Sequence, residues 1–255
     1  VLEGVLNMRE LGGHAGHEGR RVRPGSIWRS GHLGEATDAD VARLAELGIG
    51  LVVDFRTDDD IRLDGADRLP DGVRYVRTPI GDETGRGAEI RALMATDDPA
   101  ALERAFGRGR SLEMATAGAR MVVQDAQAVG AYRVFVREVL DHAPGTFLFH
   151  CTAGKDRAGW AASILLFALG VADDHVTAHY LESNHHRRVE QTIAAMASRG
   201  IAPEILGPFV EVRATYLEAS VAACEEGWGS VHGYLVEGLG LGEDGLAALR
   251  AAYLA

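Results

Sequence analysis

Thr146-Phe147-Leu148-Phe149-His150-Cys151-Thr152-Ala153-Gly154-Lys155-Asp156-Arg157 is the stretch from which the rest of the chain is best read. Its first half is a short continuous apolar run, the pattern of a strand buried on both faces. The residues after it, Ala158 to Leu169, read as an apolar helix. Between strand and helix, Cys151 and Arg157 stand at opposite ends of one tight loop. Thr152, Ala153 and Gly154 are small enough for successive backbone N–H groups to turn inward as an anion nest. The start of the following helix adds its dipole and its unpaired donors. Arg157 can grip two oxygens of one anion in a planar fork, which lysine cannot. Such a positive setting favours a thiolate at Cys151. A thiolate beneath a phosphate-sized nest is set up for in-line attack on phosphorus through a covalent intermediate. The nest and Arg157 would then stabilise the charge that spreads over the equatorial oxygens.

Cysteine and arginine six positions apart mean little alone in an arginine-rich chain. The preceding strand, His150, an internal glycine and an immediate helix make the match specific, against the plainer reading of a βα turn holding a buried cysteine. Two other anion loops fail on detail. A nucleoside-triphosphatase loop needs a glycine further upstream and Ser or Thr after the lysine, but Asp156 follows Lys155. No G-x-G-x-x-G dinucleotide pattern occurs here either. Sulfur or arsenate chemistry on a cysteine loop is a further rival. The run Lys155-Asp156-Arg157 favours phosphate, because sulfur transfer needs neither a proton donor nor so dense a cationic clamp.

Working outward, Ile49 to Phe55 is a second buried strand, and Val73 to Ile80 alternates as a strand with one exposed face. Thr37 reads as the cap of a helix whose apolar face is Val41, Leu44, Ala45 and Leu47. A polar loop is expected from Gly81 to Gly87, with helical patterns over Glu89–Arg104 and Ser111–Leu140. Everything beyond Asp173 looks helical. Strands alternating with helices predict an α/β fold with a mostly parallel central sheet, followed by a helical C-terminal part.

The composition narrows the partners. A chain of 255 residues, 47% hydrophobic, is long enough for one substantial core, so a single domain over 1–255 is expected. A formal charge of −11 argues against nucleic acid and against constitutive binding to anionic membranes. Lys155 is the only lysine; arginine supplies every other basic charge. No apolar run reaches 18 residues, so no membrane insertion is expected. Two cysteines do not make a disulfide framework, and a reducing compartment is the default. A cytoplasmic location, or secretion without a recognisable signal in this chain, follows from that reading.

The loop resembles the protein tyrosine phosphatase superfamily and specifically its atypical bacterial protein tyrosine phosphatase B family, through His150-Cys151-Thr152-Ala153-Gly154-Lys155-Asp156-Arg157. The resemblance continues in Asn7-Met8-Arg9-Glu10-Leu11-Gly12-Gly13, Trp28-Arg29-Ser30-Gly31-His32-Leu33, Val53-Asp54-Phe55-Arg56-Thr57, Tyr180-Leu181-Glu182-Ser183-Asn184 and Tyr216-Leu217. It implies Cys151 as nucleophile, Arg157 as phosphate clamp, Lys155 as a contact to phosphate or a second acidic group, and Asp156 as general acid within the loop. Thr152, Ala153, Gly154 and His150 would complete the substrate loop. It further implies phosphotyrosine, phosphoserine/threonine or phosphoinositide substrates, inorganic phosphate as product, no metal or organic cofactor, and a helical lid at about 184–228. One departure is Ala158, where the family has Ser or Thr. That hydroxyl helps the departing thiolate, so its loss predicts slow hydrolysis of the intermediate. It also leaves open a rival reading, a phosphate- or phosphoprotein-binding module with little turnover.

Asp54 and Arg56 end a buried strand, where α/β sheets bind ligands, and Asp54 is the second choice for general acid. An Asp–Arg pair holding the sheet edge explains them equally well. His175 and His179 have the spacing of a zinc helix, but the accompanying glutamate and a third ligand are missing. Cys224 lies in a helical context and reads as an inert thiol.

Overall fold

The computed structural model describes residues 2–81, 92, 93, 96 and 98–255. Its frame is a sheet of β1 (Arg9–Glu10), β2 (Ile27–Ser30), β3 (Leu51–Asp54), β4 (Arg74–Arg77) and β5 (Phe147–His150), in the order β1-β2-β5-β3-β4. β1 runs antiparallel to β2, and the remaining pairings are parallel. The α/β class and the mostly parallel sheet are therefore as the sequence predicts. β5 is the central strand and all four of its residues are buried, which is why its apolar run is unbroken. The register sets Ser30 and Asp54 on either side of His150. All three strands thus end at one edge, where Cys151 begins its loop.

Alternate strand residues build different cores. Leu51, Val53, Phe55, Phe147 and Phe149 enter the main cluster with Tyr132 and Phe135, while Val52 and Leu148 enter a second with Leu33, Leu44 and Ile49. That is the period of two expected of a sheet covered on both faces. Helix α1 (Asp38–Glu46) precedes β3 and α2 (Asp58–Asp64) follows it. Before β5 come α3 (Pro99–Phe106), α4 (Arg110–Gln124) and α5 (Ala126–His142). After it come α6 (Arg157–Ala168), α7 (Asp173–His186), α8 (Val189–Ser198), α9 (Pro203–Val210) and α10 (Ala214–Trp228). A helical turn, Val231–Gly233, and a π-helical turn, Tyr234–Gly238, lead into α11 (Gly242–Tyr253). No helix of the described residues is long and apolar enough to cross a membrane.

Two differences from the sequence expectation have physical causes. The pattern over Ser111–Leu140 is two helices, because Asp125 takes an extended conformation and its side chain caps the second, accepting from Ala128 N at 2.8 Å. β1 and β2 are too short, and β2 too polar at Arg29 and Ser30, to stand out as strands. The loop expected up to Gly87 and the start of the Glu89–Arg104 pattern lie outside the described residues; within them, Pro99–Phe106 is helical.

The C-terminal helices divide by what they cover. Ile201, Ile205 and Leu206 form a separate cluster with Leu102 and Phe106 of α3, and Ser111 of α4 donates to the Glu204 carbonyl at 3.0 Å. Tyr216, Leu217, Ala223 and Cys224 of α10 belong instead to the main core. Segment 184–228 therefore joins a satellite cluster at α9 to a helix embedded in the domain.

Candidate active site

Cys151 leaves β5 at the C-terminal edge of the parallel strands and is only 2% exposed. The loop behind it is held by its carbonyls. His32 N donates to Thr152 O at 3.1 Å, and Asn7 Nδ2 donates to Ala153 O at 3.2 Å and Gly154 O at 2.9 Å. Arg29 Nη2 adds a 2.6 Å bond to Gly154 O. A planar peptide points its N–H opposite to its C=O, so carbonyls drawn outward turn the amides the other way, as a nest requires. Only glycine fits at 154. Its φ is +67°, and a Cβ there would lie 2.4 Å from the Ser30 carbonyl oxygen.

Arg9 ties this scaffold to α7. It donates to the Asn7 side chain and, through Nη2, to His179 O and Ser183 Oγ, each at 3.0 Å. Burial, with Arg29 close by, lowers its guanidinium to about 8. Burial likewise lowers Arg29, fully enclosed beneath the loop, to about 10, although the Cys151 charge partly restores it. Placing two guanidiniums under one loop is costly unless an anion or a thiolate balances them. At Gly159 a Cβ would come 2.8 Å from the Tyr180 ring, so α6 and α7 also meet backbone-close beside the site.

Arg157 begins α6 with its guanidinium turned back across the loop. Nη1 donates to Asp60 Oδ2 at 2.7 Å and to the Phe55 and Ile80 carbonyls, each at 3.1 Å. Nη2 donates to Thr152 Oγ1 at 3.3 Å, and Tyr132 OH donates to the Arg157 carbonyl at 3.0 Å. Burial opposes its charge, but the Cys151 charge and then Asp60 hold it firmly cationic. Lys155, 9% exposed in its side chain, reaches both Asp156 oxygens at 3.0 Å and donates to the Glu211 carbonyl at 3.4 Å. The Asp156 side chain is 57% exposed. Asp156 therefore sits at the mouth and Cys151 at the base.

Asp54 and Arg56 lie elsewhere, fully buried. Arg56 forms a fork with Asp54 at 3.1–3.2 Å and pairs with Asp67 at 2.8 Å. Tyr75 OH donates to Asp54 Oδ2 at 2.7 Å, and His150 Nε2 meets Asp67 Oδ2 at 2.9 Å. Burial alone would raise Asp67, but its bond to His150, the His150 charge and then Arg56 bring it down to about 2. Donor atoms of Asp54, Asp67 and His150 lie within 4.8 Å of one another, the spacing of a metal cluster. The Arg56 guanidinium already supplies the cation that these carboxylates need. His150 thus faces a charged network away from the nest.

The histidine pair on α7 has a neighbour that sequence spacing did not reveal. His14 packs edge-on against His175 and His179 at ring separations of 6.1 and 5.5 Å. Burial lowers His179 far below the ordinary histidine value, followed by the charges of Arg29 and Arg9. Cys224 is buried, and burial pushes its thiol up to about 12. Arg187 donates to the Val210 carbonyl, and burial lowers it despite the charges of Asp156 and Cys151. Asp60, Asp67 and Tyr132 were not singled out from sequence. Only Asp60 had a signal, the helix-opening pattern Thr57-x-x-Asp60 directly after a strand.

An α/β sheet carries the Cys151–Arg157 loop at its C-terminal edge, and the family and relatives that the chain matches make it a phosphoric monoester hydrolase. More particularly, the chain belongs to the tyrosine phosphatase family, whose model, described as "Tyrosine phosphatase family", matches residues 1–255. A Cupriavidus necator protein described as "Putative tyrosine-protein phosphatase" is 40% identical over 259 residues, covering 100% of this chain and 88% of the relative. The triple specificity protein phosphatase PtpB of Mycobacterium tuberculosis is 31% identical over 256 residues, covering 92% of this chain and 91% of its own. The crystal structure of P. aeruginosa TpbA aligns over 80% of this chain and 90% of its own at 19% identity, with a TM-score of 0.31, too slight a likeness to bear on the fold.

Proposed function

We propose that the protein hydrolyses phosphomonoesters through a covalent thiol-phosphate at Cys151. The observation that carries this reading is the Arg157 guanidinium, fixed through Nη1 across the same loop that buries Cys151. In the first step Cys151 Sγ attacks phosphorus and the bond to the ester oxygen breaks, with that oxygen taking a proton from Asp156. In the second, water attacks phosphorus, Asp156 takes its proton, and the S–P bond breaks to give thiolate and inorganic phosphate. Asp156 is favoured over Asp54 as the acid because its side chain is exposed at the mouth, whereas Asp54 is buried and bonded to Arg56 and Tyr75. An incoming phosphate that draws Lys155 toward itself would release the Asp156 carboxyl for this task.

The substrate reading is phosphotyrosine first, with phosphoserine/threonine and phosphoinositides as further esters. Lys155 supports it as a second cation beside Arg157, and so does a relative described as triple specificity. The segment α8–α9 reads as the lid, since it packs apart from the main core yet reaches the loop at its end, where the Glu211 carbonyl accepts from Lys155. Ala158, wholly buried at the first turn of α6, supplies no hydroxyl to the departing thiolate and favours a slow second step. Carried to its limit, that step would leave a phosphate-binding module with little turnover.

Hydrolysis of an aryl phosphate in EDTA tests the proposal. Wild-type activity should survive the chelator and show a burst of phenol, followed by a slower steady rate. Cys151→Ser should abolish both phases, and Asp156→Asn should slow the burst about 100-fold or more. An inert wild type that still binds vanadate would favour the binding module. Activity retained in Cys151→Ser would refute the covalent route.

A further inference from the structure

We infer that Asp60 is a positioning residue for phosphoryl transfer, the charged partner that aims Arg157 at the phosphate; the inference rests on the phosphatase reading above. Asp60 sits in the first turn of α2, 5% exposed. The helix begins directly after β3, which lies next to β5, so its first turn emerges at the edge where the Cys151 loop begins. One oxygen, Asp60 Oδ2, accepts from both Thr57 N at 3.0 Å and Arg157 Nη1 at 2.7 Å. The helix start and the active-site arginine are thereby locked to a common point.

Counting donors shows what the lock accomplishes. A guanidinium carries five N–H groups, two of them on Nη1. Asp60, Phe55 O and Ile80 O together occupy Nη1, and Thr152 Oγ1 takes one hydrogen of Nη2. Among the described residues no hydrogen bond uses the Nε–H or the second Nη2–H. Two donors remain, the number needed for a bidentate grip on phosphate. The two carbonyls orient Nη1 as dipoles, whereas Asp60 is, among the described residues, the charge bonded to it from outside the loop. A neutral side chain here would leave the guanidinium free to tilt toward Asp156 or Cys151, and small misplacements of a catalytic group cost large factors in rate.

The test uses Asp60→Asn, which keeps an acceptor for Thr57 N and so preserves the helix start. Thr57→Ala serves as the comparison, weakening the same helix start while leaving the Asp60 carboxylate in place. With an aryl phosphate, Asp60→Asn should lose about 10- to 100-fold in kcat/KM and bind vanadate weaker by a similar factor. Thr57→Ala should stay within about threefold on both measures. The losses from Asp60→Asn and Arg157→Lys should fall well short of additive in the double variant, because both act through one guanidinium. Unchanged vanadate affinity in Asp60→Asn, an equal loss in Thr57→Ala, or full additivity would each overturn the inference. A wild type that binds vanadate without hydrolysis would refute the phosphatase reading alone, and the vanadate series would still decide the role of Asp60. A wild type that binds no vanadate would overturn both.

Discussion

Two helices of this protein open with the same device and use it for different ends. Thr37-Asp38-Ala39-Asp40 starts α1 and Thr57-Asp58-Asp59-Asp60 starts α2; in each, the threonine hydroxyl and the aspartate close a reciprocal capping box. Both aspartates are buried, at 2% and 5% exposure, which is unusual for a charged residue in a first helical turn. Asp40 spends its oxygens on backbone: Thr37 N at 3.0 Å, and Glu3 N and Gly4 N at 2.8 Å. Asp60 shares its oxygen with a guanidinium. The first box thus pins the N-terminal strand of chain that carries Asn7, and the second pins the arginine that faces Cys151. A local motif specifies a helix start, and what the buried carboxylate does beyond that depends on which segment the fold lays against it.

Removing the first carboxylate gives the largest effect on stability and separates the two boxes. Asp40→Ala leaves three backbone N–H groups without their acceptor, at a cost of about 3 kcal/mol in urea unfolding. Its kcat/KM, measured on the folded protein, should stay within about twofold of wild type. A 10-fold loss of activity would mean that the N-terminal anchor also sets the geometry of the site and would dissolve the contrast.

Asp67 sharpens it, being a third carboxylate with a buried side chain, held by one amide, Leu33 N at 2.8 Å, and by the side chains of Arg56 and His150. Its folded value of about 2 lies below the ordinary 3.8, so the stability it contributes is present above pH 4 and is lost as pH falls from 4 toward 2. The shift corresponds to about 2 kcal/mol. Asp67→Asn should flatten that acid limb in unfolding measurements made from pH 5 to pH 2. An unaltered limb would place the acid sensitivity elsewhere.

The smallest effects compare the hydroxyls. Thr37→Ala and Thr57→Ala should each cost about 1 kcal/mol in thermal unfolding, since each removes one cap bond of the same kind. A difference above about 1 kcal/mol between them would show that the two helix starts are not equivalent locally.

Much of the site was legible because its parts are consecutive. Cys151 to Arg157 fall in one loop, and the apolar strand before it and apolar helix after it are patterns that six to twelve residues suffice to display. The strand at Leu51–Asp54 and the helix capped by Thr37 were legible for the same reason. Asp54 and Arg56 were ambiguous, because a charged pair at a strand end looks alike whether it meets substrate or a buried partner. Asp67, 13 residues from Asp54 in sequence, supplies that partner and carries no pattern of its own.

What the sequence by itself determined was an α/β chain with a cysteine, three small residues and an arginine on one short loop between a strand and a helix, since these follow from periodicity and from spacing within a dozen residues. Only the tertiary structure decided which groups hold that loop and its arginine. Asn7 and Arg29 reach it from more than 120 residues away, and Asp60 from 97. Side-chain contacts at such separations are set by strand order and by how layers pack, and neither is written in the neighbours of any one residue.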